Sequence, residues 1–80
     1  MEETYTAEEI NAMFSAMDDS VSLVDSLVAA DTHSEEIDDT VDRNYRHIEI
    51  MLAKDHISAD DRDKTAYTDC VASAKTFLGL

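Results

Sequence analysis

A chain of 80 residues with no proline and a single glycine, at position 79, has almost nothing from which to build tight turns. Type II and primed turns need positive φ, which glycine adopts freely and most other residues avoid. A β-architecture needs many such turns, whereas helices joined by short polar loops need few. The composition therefore points to an all-α chain. An apolar share of 44% separates it from a disordered tail of similar charge. The length is near the limit for one self-sufficient core, so residues 1–80 are expected to form a single helical domain.

Caps and periodicity place the helices. Thr6-Ala7-Glu8-Glu9 has the spacing of a capping box, flanked by Tyr5 and Ile10 at the spacing of a hydrophobic staple. Ile10, Phe14, Met17, Val21, Val24 and Val28 then recur at alternating steps of four and three. Met13, Ala16, Leu23 and Leu27 widen this stripe to roughly half the circumference at about 100° per residue. One neighbouring helix does not cover that much. Asp31-Thr32-His33-Ser34 breaks the pattern, with Thr32 or Ser34 able to cap a second helix whose first turns are acidic. Ile37, Val41, Tyr45, Ile48 and Leu52 make its apolar stripe, and Asp39/Arg43 and Asp42/Arg46 stand four apart with the acid first. Ser58 is the expected cap of a third helix carrying Ala66, Tyr67, Cys70, Val71, Ala74, Phe77 and Leu78. The expectation is a three-helix up-down-up bundle, or a helical hairpin plus a third helix, with helices about 7–30, 34–56 and 59–78.

Charge narrows the function classes. Nineteen acids against six bases give a net charge of −13, a surface that repels a phosphate backbone and argues against direct nucleic-acid binding. One cysteine, Cys70, cannot form an internal disulfide. No apolar run reaches the roughly 18 residues of a membrane span, and Met1-Glu2-Glu3-Thr4-Tyr5 is unlike a signal peptide.

Motifs for chemistry are sparse. Asp25-Ser26-Leu27 matches the tripeptide that carries phosphopantetheine in acyl carrier proteins, but Ser26 falls inside the first helix, with no glycine or loop before it. Asp60, Asp61 and Asp63 lack the glycine and glutamate that complete an EF-hand loop and read as a charged first turn. His33, His47 and His56 lack the partners of a zinc helix or a di-iron site and are expected at the surface. Cys70 lies on the apolar stripe, as a packed side chain rather than a nucleophile. The expectation is no catalytic residue, no cofactor and no metal.

Two features point to protein contacts instead. Ile50 and Ile57 lie across the second helix from its stripe, among Arg43, Arg46, His47 and Lys54. Apolar residues ringed by positive charge on so acidic a chain suggest a contact patch, the plain alternative being two ordinary exposed isoleucines. The other feature is the surplus apolar face of the first helix, with Met13, Leu23 and Leu27 left after one seam is filled, unless both other helices cover it.

The segment Asp42-Arg43-Asn44-Tyr45-Arg46-His47-Ile48-Glu49-Ile50-Met51-Leu52-Ala53-Lys54-Asp55, followed by Ala74-Lys75-Thr76-Phe77-Leu78, resembles the carboxy-terminal part of small helical proteins of tailed bacteriophages, cyanophages among them. Ala74 stands where that pattern has glycine. The resemblance covers about half the chain and brings no known chemistry, so it carries over no site residues. It implies a phage origin and a place in the virion, or otherwise in the host cytoplasm. The expected function is a non-enzymatic structural protein, capsid or tail associated, that self-associates or binds a larger virion protein. The alternative is an acidic DNA mimic that inhibits a host nucleic-acid-binding protein.

Overall fold

The computed structural model describes residues 4–80, and within them every regular element is a helix. Helix α1 runs Ala7–Ala30 and starts at the expected capping box. The Thr6 hydroxyl accepts from the Glu9 N–H at 3.1 Å, while the Thr6 N–H donates to the Glu9 carboxylate at 3.1 Å. It ends at Asp31, whose φ of 51° puts a non-glycine residue in the left-handed region. Asp tolerates that conformation better than most residues, which suits a chain without glycine at this break. Helix α2 spans Glu35–Leu52, and of the two candidate caps Ser34 serves, accepting from the Ile37 N–H at 3.1 Å.

The rest departs from the expected boundaries. α2 ends at Leu52, where the Ala53 and Lys54 N–H groups reach back three residues to Ile50 and Met51. A separate single turn, α3, covers Asp55–Ser58, and the last helix, α4, begins only at Thr65 and runs to Leu78. Ser58 caps nothing; it is the last residue of α3 and its hydroxyl donates to the Asp55 carbonyl. Between the helices, aspartates turn the chain locally. Asp60 accepts from both the backbone N–H and the Nε of Arg62, and Asp63 accepts from the Thr65 N–H at 2.9 Å and its hydroxyl at 2.6 Å. Such side-chain bonds compete with helix for the same backbone donors, which delays α4 by six residues relative to the expected start. Gly79, at φ 77°, closes α4, with the Leu80 N–H bonded to the Lys75 carbonyl.

The three long helices pack against one another as an all-α bundle. Contacts from α1 to the last segment advance together along the chain: Asn11 with Arg62, Asp18 with Tyr67, Val28 beside Phe77. α1 and α4 are therefore parallel, with α2 antiparallel to both. At about 1.5 Å per residue the 24 residues of α1 span about 36 Å, which accounts for most of the 42 Å long axis. The core takes Phe14, Met17 and Val24 from α1, Val41, Tyr45 and Ile48 from α2, and Tyr67, Cys70 and Ala74 from α4. Ile57 of α3 completes it, while Ala66, expected on the buried stripe, is exposed.

Candidate functional site

The patch expected on the second helix is only partly assembled. Ile50 is 59% exposed on the outer face of α2, with Arg46 and Arg43 one and two turns before it and His47 beside it. Ile57 does not join it. That side chain is fully buried, because the break at Ala53–Lys54 resets the helical phase and turns α3 inward. Lys54 is exposed but sits in the same break, outside α2.

Both arginines of the expected ring are also paired with acids. Arg43 pairs with Asp39 at 2.6 Å and Arg46 Nε with Asp42 at 3.0 Å, both four residues apart as expected. Lys75 of α4 reaches Glu49 at 3.0 Å. Exposed pairs of this kind stabilise the fold by about 0–1 kcal/mol. Their larger effect here is to leave Ile50 in locally balanced surroundings rather than in a basic field.

The first-helix residues divide by depth. Leu23 is 43% exposed, whereas Met13 and Leu27 are half-buried and touch the core along one edge. The α4 side of α1 is marked by Asn11, which accepts from Arg62 at 2.8 Å, and Asp18, which accepts from the Tyr67 hydroxyl at 2.5 Å. Leu23 lies five residues beyond Asp18, so it faces away from that seam at about 100° per residue. On the same outer flank are Ala16 and Ala30, both exposed, and the half-buried Ser20. Ala16 was expected on the widened stripe, whereas Ser20 and Ala30 were not expected there. Their signal in the sequence is a second 3-4 spacing, Met13, Ala16, Ser20, Leu23, Leu27, Ala30, made faint by its small side chains.

The polar groups elsewhere are occupied by structure. Arg62 lies over the Phe14 ring at 3.9 Å and bonds Asp60, whose carboxyl its hydrogen bonds hold below the usual aspartate range. Burial, reinforced by the bond to Asp18, pushes the Tyr67 hydroxyl up to about 12. Burial and the nearby Asp25 push the Cys70 thiol up to about 11, so it is not a ready nucleophile. His33 is exposed, hydrogen-bonded to Asp38 at 2.9 Å and stacked on Phe77 at 4.1 Å. His47 is exposed, but His56 is half-buried rather than at the surface: its ring stacks on Tyr5 at 4.0 Å.

An open cleft of about 520 Å³ at one end of the bundle is lined by Val28, Asp31, His33, Ala72, Ser73, Thr76 and Phe77. It holds no nucleophile paired with a base. Among the described residues no three His, Cys, Asp or Glu side chains gather as metal ligands, and no helix is long and apolar enough to cross a membrane. Compared with known proteins, the chain matches no family model, no curated protein and no solved structure.

Proposed function

We propose that this chain is a non-enzymatic interaction component of a tailed-phage particle, capsid or tail associated, which binds copies of itself or a larger virion protein. The observation that carries the contact is the outer flank of α1. Leu23 stands 43% exposed between exposed Ala16 and Ala30, on a flank whose one acid from residue 12 to residue 30 is Asp19 at its edge, in a chain of net charge −13. Water-exposed apolar surface costs free energy, and a strip with a single acid at its edge on so acidic a protein suits a protein partner. The phage origin rests on the resemblance in residues 42–55 and 74–78. Composition analysis of purified particles by mass spectrometry tests the reading, with stoichiometric copies expected and absence refuting a virion role.

The second reading is an acidic DNA mimic, favoured by one observation: α1 carries Glu8, Glu9, Asp18, Asp19 and Asp25 and no base. Salt separates the two. A mimic held on a basic target by charge loses affinity steeply between roughly 50 and 200 mM salt, whereas apolar burial is not screened.

A further inference from the structure

The outer flank of α1 has the layout of a helix–helix seam. Met13, Ala16, Ser20, Leu23, Leu27 and Ala30 follow steps of three, four, three, four and three, the spacing of the two apolar positions of a heptad. The other seam of α1, through Phe14, Met17 and Val24, is already spent on the core. The second is open at Ala16, Leu23 and Ala30 and half-covered at Met13, Ser20 and Leu27.

We infer that the occupant of this seam is the same helix of a second copy, packed antiparallel about a two-fold axis. The inference rests on the reading of this flank as a protein contact and names its partner. Size complementarity is the first argument. Antiparallel packing brings the first apolar position of one heptad level with the second of the other. Aligned on its centre, the seam sets Leu23 opposite Ser20 of the second copy, Leu27 opposite Ala16 and Met13 opposite Ala30. Every layer then joins one large side chain to one small one, and the symmetry repeats each layer in reverse. Parallel packing instead stacks Leu23 on Leu23 and Ser20 on Ser20, alternating crowded layers with gaps. Close packing without voids favours the antiparallel arrangement.

Charge is the second argument. Two copies at −13 each repel, so they can meet only where acids are absent. Asp18 and Asp25 lie on the α4 side of α1, away from the strip. Asp19, at its edge, has Ser26 of the second copy as its flanking neighbour across the seam rather than another acid. Opposed helix dipoles add a small favourable effect that parallel packing reverses.

The seam from Met13 to Ala30 is about 25 Å long at 1.5 Å per residue. It covers on the order of 500 Å² per copy, less than the roughly 800 Å² of a standard interface. The expected dissociation constant is on the order of 100 µM, falling as salt screens the repulsion between the two copies.

Sedimentation equilibrium of the full chain up to about 1 mM, in low and high salt, tests the pairing. A dimer that tightens with salt is expected. Leu23→Glu should weaken it about a hundredfold, tenfold for each symmetric copy of the contact, without changing the circular dichroism of the partly exposed site. Orientation is read by oxidative cross-linking: a mixture of Ser20→Cys and Leu23→Cys chains should form a disulfide-linked dimer, and neither variant alone should match its yield. The parent serves as the control, because Cys70 is buried. A parent that stays monomeric in high salt overturns the inference, as does a Leu23→Glu chain that dimerises normally or a Leu23→Cys chain that cross-links fully with itself. Particle composition is independent of these readouts. A chain that is monomeric in solution yet stoichiometric in virions overturns the self-pairing alone.

Discussion

Replacing Ile57 with alanine distinguishes the packed structure from a reading of helical periodicity alone. On an extended second helix Ile57 falls on the outer face with Ile50, and the two substitutions should then be equally harmless to the fold. In the structure Ile57 has no exposed surface and anchors the one-turn α3 to the core. The substitution removes three carbons, about 2.4 kcal/mol at roughly 0.8 kcal/mol each, and a cavity contribution brings the loss to about 3 kcal/mol. With unfolding entropy near 2.1 cal/mol/K per residue, 80 residues have about 170 cal/mol/K, so Tm should fall by roughly 18 °C. Ile50→Ala, at a 59% exposed site, should stay within about 0.5 kcal/mol, or about 3 °C. Thermal melts of parent and both variants, followed by far-ultraviolet circular dichroism, provide the comparison, and urea midpoints check it independently. An Ile57→Ala melt within about 3 °C of the parent would refute the placement of α3 in the core.

The fold should also be alkali-labile. Tyr67 and Cys70 have pKa values raised from 10.0 to about 12 and from 9.0 to about 11, so folding favours their neutral forms. Their contribution is complete below the unfolded values and is lost as pH rises from about 9 to 12; denaturant midpoints across that range should fall, and Tyr67→Phe should flatten the upper limb. Thr6→Ala removes the acceptor for the Glu9 N–H and should cost about 1 kcal/mol by urea titration, with no change in association. Arg43→Ala breaks an exposed pair with Asp39 and should shift the same midpoint by less than about 1 kcal/mol, whereas a larger loss would mean that the guanidinium does more than balance charge.

The sequence by itself determined what depends on neighbours within one helical turn. Scarcity of glycine and proline selected helices, Thr6 with Glu9 and Ser34 marked two starts, and the stripes of α1 and α2 named most of the core. Asp39/Arg43 and Asp42/Arg46 were legible for the same reason, since residues four apart meet on any helix. Periodicity carries side-chain direction only while the helix is unbroken. No glycine or proline announces the interruptions at Ala53–Lys54 and at 59–64, so the facing of Ile57, Ala66 and the start of α4 could not be read in advance. Those depended on tertiary packing and on Asp60 and Asp63 taking local donors from the backbone. Tertiary structure also decided which flank of the broad apolar face of α1 was left over. α2 and α4 cover the seam of Phe14, Met17 and Val24, and Leu23 remains in water because it stands about 140° around α1 from Asp18, away from the α4 seam.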